Sequence, residues 1–143
     1  MLPQPMIKTI ELEFQTKGEN DLLNITERIQ EKVSECGASE GFALLFLLST
    51  TASLAIMEWE EGLLSDFGTM MERIAPKKAS YEHEKAWHDG NGHSHMRSTL
   101  LGASLTVPFK GKTLLLGQWQ QLMLAEFDVR PRKRTLIMQI HGV

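Results

Sequence analysis

The sequence has little of what secreted and membrane proteins depend on. Its 143 residues include one cysteine, Cys36, so no disulfide can form within the chain. The longest apolar run, Phe42 to Leu48, is far shorter than the roughly 20 residues that cross a bilayer. The first residues lack the charged start and apolar stretch of a signal peptide. These absences predict a cytoplasmic protein with no membrane partner.

Several motifs of catalysis and nucleotide binding are also missing. The chain contains no P-loop, no dinucleotide-binding glycine pattern and no Gly-x-Ser-x-Gly elbow. Cys36 lies far from the histidines in the sequence, which favours a packed, inert thiol over a Cys–His nucleophile. Because the pI is about 5.9 and no basic stripe interleaves with aromatic residues, we expect no nucleic-acid partner.

Charge is distributed unevenly along the chain. Residues 1–71 carry 12 acids and 4 bases, residues 72–143 carry 6 acids and 11 bases, and all five histidines lie in the second half. This asymmetry favours a small anionic ligand near the second half, although a solvated basic face is the alternative interpretation.

Residues 81–101 hold four of the five histidines and almost no apolar periodicity. Polar side chains stand there at every second position: Asp89, Asn91, His93, His95 and Arg97. The alternation predicts a strand, at least from Asn91 onward, with all of these groups on one face. No core requires that set of side chains, so the face is a candidate site.

Hydrophobic periodicity elsewhere predicts about seven strands and two main helices. Strands are predicted at 6–16, 41–48, 53–59, 104–109, 112–116, 118–127 and 135–141. Helices are predicted from a cap at Asp21 or Asn24 to Gly37, and from Glu60 to Ile74 with Met70 and Met71 as core residues. Trp119 is predicted to be core rather than a ligand platform. The order of elements indicates one α+β domain over residues 1–143, built on an antiparallel sheet or sandwich.

Six short motifs occur in a recognisable order along nearly the whole chain. They are Ser49-Thr-Thr-Ala-Ser-Leu, Tyr81-Glu-His83, Gly92-His-Ser-His95, Leu101-Gly-Ala-Ser-Leu, Gly117-Gln-Trp-Gln120 and the segment 126–134. Together they resemble the YjbQ-like family, whose name, secondary thiamine-phosphate synthase, records a weak activity. The resemblance implies an α+β fold and a homotrimer with sites near subunit contacts. It implies no established physiological substrate.

The sequence departs from the family pattern at three places. Ser49 stands where relatives carry His before the Thr-Thr-Ala motif, and Met57 stands where they carry Asn before a glutamate. Gln118 replaces Thr in the Gly-Thr-Trp-Gln motif. His93, which many relatives lack, is a candidate substitute for the missing imidazole at position 49.

The histidines make a metal site the first chemical hypothesis. His83, His93 and His95, with Glu126 or Asp89 nearby, would suit a divalent ion such as Zn²⁺ or Mg²⁺. A His-x-His pair also arises by chance, so the alternative is that no ion binds. Acid/base catalysis by His83 and His95, with Glu126 orienting the imidazole, is a second hypothesis. The alternative to this role is that Glu126 occupies a solvent-facing position of its strand.

Arginines and hydroxyls supply candidates for binding a phosphorylated ligand. The predicted set is Thr50, Thr51, Asn91, Arg97, Arg130 and Arg132. The arginines near Pro131 can instead pair with acidic helices.

Three functions follow, in order of preference. The first is an enzyme that joins a pyrimidine pyrophosphate to a thiazole phosphate. The second is a non-catalytic homotrimer that binds a metal or small anion. The third is a purely structural oligomer.

Overall fold

The computed structural model describes residues 1–143 as eight strands and four helices. The strands are β1 (Met6–Gln15), β2 (Asp21–Asn24), β3 (Glu40–Leu47), β4 (Ala52–Met57), β5 (Ser104–Lys110), β6 (Thr113–Leu114), β7 (Gln121–Glu126) and β8 (Lys133–Gly142). The helices are α1 (Thr26–Glu35), α2 (Glu61–Ile74), α3 (Glu82–Trp87) and α4 (Gly92–Leu101). No helix has the length and apolar character that a membrane crossing needs.

The strands form two antiparallel sheets, which confirms the predicted α+β architecture. The larger sheet has the order β1-β8-β3-β5-β6, and the smaller has the order β2-β7-β4. β1 and β8 pair over their full length, from Met6 opposite Gly142 to Gln15 opposite Lys133. The candidate functional site lies where one end of the smaller sheet meets the larger sheet.

The main core lies between the sheets and under α1. Leu45 of β3, Met138 of β8 and Leu124 of β7 are fully buried there, together with Ile29 and Val33 of α1. Alternate residues of β1 and β8 point into this layer, as a sheet with one buried face requires. Cys36 is buried at its edge with its Sγ 3.9 Å from the carbonyl oxygen of Ala38, in agreement with an inert thiol.

A smaller core lies on the other face of the three-stranded sheet, under α2. Phe67 and Met71 of α2 pack there against Met123, Ala125 and Phe127. Glu60 caps α2, since its carboxylate accepts the backbone N–H groups of the next turn. The prediction that both methionines are core residues is confirmed for Met71, which is 1% exposed, and wrong for Met70, which is 45% exposed. Only one face of the helix meets the sheet.

The predicted strand from Asn91 onward is wrong, because these residues form α4. Successive helical residues differ by about 100°, so His93 and His95 point to different sides rather than sharing a face. The buried side of α4 is polar, and Ser98 donates to the carbonyl oxygen of Ala52 while Ser53 donates to that of Ser98. A helix that buries serines shows no apolar periodicity, which is why the sequence pattern missed it.

Three further boundaries differ from prediction. Residues 21–24 form strand β2 instead of opening α1, and Asn24 accepts from the backbone N–H of Thr26 instead. The sixth strand is confined to Thr113–Leu114, after a turn in which Gly111 and Lys112 have positive φ. β7 begins only at Gln121, which leaves Trp119 in a loop, 64% exposed rather than in the core.

Candidate functional site

A cleft of about 620 Å³ opens at the end of the smaller sheet. Five chain segments meet there: the end of β3 with the loop after it, the α3–α4 region, the loop before β5, the loop after β7 and the start of β8. The lining side chains are Phe46, Leu47, Leu48, Ser49, Thr50, Thr51, Asp89, Asn91, His95, Ala103, Asp128, Arg132 and Arg134. Residues from distant parts of the sequence therefore face one solvent-accessible space.

Two predicted histidines meet at one edge of this cleft. The rings of His83 on α3 and His95 on α4 have centroids 4.5 Å apart and planes inclined at 59°. Nε2 of His83 lies 3.3 Å from a carboxylate oxygen of Asp89. Ligand atoms of all three residues lie within 4.8 Å of one another, and we call this group the His–Asp cluster.

The loop between α3 and α4 holds Asp89 in place. Glu84 accepts the backbone N–H groups of Gly90 and Gly92, each at 2.8 Å. The backbone N–H of Asn91 donates to Asp89 at 3.0 Å, and this bond is the main cause that lowers the pKa of the Asp89 carboxyl. A side chain at position 92 would collide with Tyr81, since an added Cβ would lie 2.5 Å from its Cβ. Asp89 is therefore a fixed, ionised carboxylate beside two imidazoles.

The donor set of the His–Asp cluster suits a divalent ion. Two imidazole nitrogens and a carboxylate oxygen are ligands that Zn²⁺ takes in three-ligand catalytic sites. Tetrahedral coordination with bonds near 2.1 Å needs ligand atoms about 3.4 Å apart, so the three side chains, whose ligand atoms lie within 4.8 Å of one another, would close slightly around an ion. The cluster can thus hold an ion while leaving one position open to the cleft.

His93, expected as the third imidazole, lies outside the cluster. It is 1% exposed on another side of α4, with Nε2 3.4 Å from Oε2 of Glu19. Burial lowers the pKa of His93 below its ordinary 6.5, and the charges of Arg97 and Lys77 lower it further, while Glu19 opposes them. The ring is therefore a neutral packing group that links α4 to the turn after β1.

This burial of His93 predicts a loss of stability in mild acid. When the folded-state pKa lies below the unfolded one, the unfolded chain binds more protons, so stability falls as pH drops through about 6.5. The free energy of unfolding, measured with urea, should decrease less between pH 7.5 and pH 5.5 in His93→Gln than in the unchanged protein. His88→Asn, an exposed position, should retain the full decrease. Equal pH dependence in all three proteins would contradict a neutral His93.

Arg97, expected to hold an anion, is also turned away from the cleft. The side chain is 2% exposed, and its Nε donates to the carbonyl oxygen of Ala75 at 3.0 Å. Its Nη2 donates to Glu72 at 2.7 Å. Arg97 therefore ties the end of α2 to α4, and the helical path of residues 92–101 is the reason it does not share a face with His95.

Glu126 is buried, but it does not orient a histidine. Its two oxygens accept four hydrogen bonds, from Thr16 Oγ1, Asp128 N, and Nε and Nη2 of Arg134. A carboxylate with four donors has no free lone pair for an imidazole. The predicted role as an acid/base partner is therefore replaced by a bidentate ion pair with Arg134 at the base of the cleft.

A second carboxylate, Asp128, organises the cleft floor. It accepts from Thr51 Oγ1 at 3.0 Å, from Arg132 Nε at 3.0 Å and from the backbone N–H of Arg130 at 2.9 Å. Burial alone would raise the pKa of Asp128, but these hydrogen bonds outweigh it and the net pKa is lowered. Arg132 lines the cleft, whereas Arg130 is not among the residues that line it.

Several donors in the cleft have no partner within the chain. The guanidinium of Arg132 is 42% exposed and uses only its Nε in an internal bond, so both Nη groups are open. The backbone N–H and the hydroxyl of Thr50 have no acceptor in the protein. Arg132 and Thr50 line the same cleft as Asp89 and His95, and open donors of this kind are what an anion needs in order to bind.

Ser49 and Asn91 shape the cleft in different ways. Ser49 lines it, and its Oγ accepts the backbone N–H of Thr51 at 3.0 Å. The buried Asn91 accepts from Ser94 and from the backbone N–H of Val129, which joins α4 to the loop after β7. An imidazole at position 49 would face the same cleft as the His–Asp cluster.

Two cleft residues escaped the sequence-based site prediction. Arg134 and Asp128 belong to the basic segment after β7, where Asp128, Arg130, Arg132 and Arg134 alternate. Strand alternation would place Arg134 on the face of the buried Leu136 and Met138, and an arginine on a core face is a signal for a buried ion pair. Its partner Glu126 shows the same signal in an apolar strand.

Comparison with known proteins places the chain in one family. A family model described as UPF0047 protein YjbQ-like matches residues 10–143. A UPF0047 protein of Archaeoglobus fulgidus is 35% identical over 130 residues, covering 91% of this chain and 98% of that protein. The UPF0047 protein YugU of Bacillus subtilis is 32% identical over 139 residues, covering 96% of this chain and 100% of that protein.

Solved structures agree with this relationship. A YbjQ-like protein of unknown function from Sulfolobus solfataricus matches with a TM-score of 0.91 at 27% identity, over 98% of this chain and all of that one. A YjbQ/UPF0047 protein of Clostridium acetobutylicum matches with a TM-score of 0.82 at 30% identity, over 92% of this chain and 98% of that one. The chain described here belongs to the YjbQ-like UPF0047 family.

Proposed function

We propose that the cleft binds a divalent ion and a small phosphorylated substrate, and that it catalyses transfer of an organic group with release of pyrophosphate. One observation carries the proposal: the His–Asp cluster shares a cleft with the unpartnered donors of Arg132 and Thr50. Metal ligands and guanidinium donors side by side suit phosphate chemistry, since both neutralise phosphate charge.

The first reaction to test joins a pyrimidine pyrophosphate to a thiazole phosphate. The thiazole nitrogen supplies an electron pair to the methylene carbon of the pyrimidine, and the carbon–oxygen bond to pyrophosphate breaks. Pyrophosphate leaves with that bond's electron pair, so its oxygens gain negative charge. Arg132 and Thr50 would donate to these oxygens, and a divalent ion on His83, Asp89 and His95 would offset the remaining charge.

A non-catalytic binding module is the second candidate, and Ser49 favours it. The hydroxyl of Ser49 is held by the loop backbone, and it offers no proton carrier at neutral pH where relatives carry an imidazole. Turnover of the two precursors, followed as pyrophosphate release with Mg²⁺ or Zn²⁺ added, separates the candidates. Turnover that Ser49→His raises and His95→Ala abolishes supports the enzyme. Pyrophosphate binding without turnover in any variant supports the module.

Pyrophosphate affinity provides a direct test of the anion-binding donors. Arg132→Gln should weaken pyrophosphate binding about tenfold or more, because a charge-assisted hydrogen bond is lost. Arg130→Gln removes the same charge two residues away and outside the cleft, so it should bind like the unchanged protein. Isothermal titration calorimetry measures both. Equal losses in the two variants would mean that only overall charge matters, and no binding in the unchanged protein would overturn both candidate functions.

The proposal includes a homotrimer formed through the outer face of the larger sheet. The outward residues on this face include the apolar side chains of Ile7, Phe42, Leu44, Phe46 and Ile137, with Gln139 and His141 of β8 between them. Ile7 is 67% exposed and Phe46 47% exposed, and Phe46 also borders the cleft. An exposed apolar patch of this kind is typical of a subunit contact, and it would bring another copy to the edge of the cleft.

A charge placed on that face should dissociate the assembly. Phe42→Glu is expected to reduce the mass in light scattering from about three times the 16.2 kDa chain mass to a single chain. Ile74→Glu, at an exposed position of α2 far from this face, is the control and should remain trimeric. A monomeric unchanged protein at the same concentration would refute the trimer.

A further inference from the structure

A second depression lies at the opposite end of the smaller sheet from the cleft. β4 and β7 pair with Ala52 opposite Glu126 at the cleft end and with Met57 opposite Gln121 at the far end. At a rise of 3.3 Å per strand residue the two ends are roughly 17 Å apart. A ligand bound at the far end would therefore not overlap one in the cleft.

The far depression is lined by two tryptophans, two acids and three amides. Its volume is about 510 Å³, and its lining residues are Asn24, Glu58, Trp59, Glu60, Gln118, Trp119 and Gln121. An adjoining depression of about 360 Å³ shares Glu58, Gln118 and Trp119 with it. We call the two together the aromatic groove, and Glu58 and Trp119 stand at its middle.

The aromatic groove carries negative charge without any positive partner. No lysine, arginine or histidine lines either depression. The backbone N–H groups of Gly62 and Leu63 lower the pKa of Glu60, which keeps this capping carboxylate ionised. Glu58 differs, because its carboxylate accepts no hydrogen bond within the chain and makes no ion pair. A positively charged ligand would supply the missing partner.

The tryptophans offer ring surface to the same space. Trp119 is 64% exposed in the loop before β7, while Trp59 packs partly against the smaller core. Tryptophan has the strongest attraction for cations among the aromatic side chains, because its ring faces carry negative potential. An exposed indole and an unpaired carboxylate that line the same depression therefore suit an organic cation better than a bare metal ion.

Some of the amides around the groove are engaged within the chain. Asn24 donates to Gln121, and Gln120 accepts the backbone N–H of Gly117, whereas the side chain of Gln118 makes no hydrogen bond. An alkylated cation needs only ring faces and negative charge, so its binding does not depend on these amides.

We propose that the aromatic groove binds a small organic cation, an alkylated ammonium or a cationic nitrogen heterocycle, with its charge against Glu58 and the indole of Trp119. The site is separate from the cleft and does not depend on the function proposed there. Its ligand is a cation, whereas the open donors of the cleft suit an anion.

Titration with choline, followed by the indole N–H resonances of the full-length protein, tests this site. The resonances of Trp59 and Trp119 should shift, while that of Trp87, 72% exposed on α3, is an internal reference. The neutral analogue of choline, in which a tert-butyl group replaces the trimethylammonium, should bind at least about tenfold more weakly than choline. Tryptophan-to-phenylalanine variants assign the three resonances.

Two glutamate variants separate the site from general electrostatics. Glu58→Gln should weaken choline binding about tenfold, whereas Glu61→Gln, exposed at the start of α2 and outside the groove, should leave it unchanged. Trp119→Ala should abolish the shift at Trp59 while the remaining spectrum keeps its native dispersion. Equal binding of the neutral analogue, shifts of all three indoles alike, or no shift at Trp59 and Trp119 would each overturn the proposal.

Discussion

We expect Asp89→Asn and His95→Ala each to abolish the tight binding of a divalent ion that we propose for the His–Asp cluster. Each change removes one of three donors that lie within 4.8 Å of one another, and two donors do not fix an ion on a solvent-exposed surface. We expect the affinity for Zn²⁺ to fall by more than about 100-fold, since even changes outside the ligand shell cost 10–100-fold. Asn at position 89 retains the shape of the side chain and removes only its charge.

Elemental mass spectrometry after dialysis against Zn²⁺ measures this effect, with about one ion per chain expected in the unchanged protein. His88→Ala and His93→Ala are matched controls, because both histidines lie within a few residues of the cluster and outside it. Both controls should retain the ion. Loss of the ion in His93→Ala with normal folding would mean that α4 carries the ligands in another arrangement, and an ion retained without His95 would refute the site.

Replacing Glu126 by Gln will destabilise the fold by about 3–5 kcal/mol, which is typical when one partner of a buried ion pair is removed. Glu126 is 0% exposed, and Arg134 donates to it through both Nε and Nη2. The neutral amide leaves the guanidinium without its counter-charge, and it places an NH₂ group where a donor already points. Urea unfolding at neutral pH measures the change in free energy.

An exposed ion pair between β1 and β8 provides the control. Glu13 and Lys133 lie 3.1 Å apart, with side chains 59% and 65% exposed, and Glu13→Gln should cost less than about 1 kcal/mol. The double change Glu126→Leu with Arg134→Met should recover part of the lost stability, because an apolar pair needs no counter-charge. Similar small losses of stability in Glu126→Gln and Glu13→Gln would show that the buried ion pair stabilises the fold no more than the exposed one.

The sequence was most informative where one face of an element is buried in apolar surroundings. β1 and β8 alternate because they line one side of a sandwich, and both were predicted nearly to their ends. The same reasoning located β3, β4 and α2. Local patterns suffice there because burial repeats with the period of the backbone.

Prediction failed where buried surfaces are polar. α4 buries Ser94, Ser98, His93 and Arg97, so its helical period left no apolar trace in the sequence. This error moved His93 and Arg97 into the predicted site, although the structure turns them toward Glu19 and Glu72. His83 and His95 do approach each other, but through a pair of helices rather than along a strand.

By itself, the sequence determined the residue types available for chemistry and the alternation that builds the sandwich. It also excluded disulfides and nucleotide-binding loops. Only the tertiary structure decided which charged groups are satisfied and which remain open. Glu126 is saturated by Thr16, 110 residues away, and by Arg134, whereas the Nη groups of Arg132 remain free in the cleft that Asp89 and His95 also line. The physical reason is that a polar group's partners are set by contacts between distant segments, and local periodicity carries no information about those contacts.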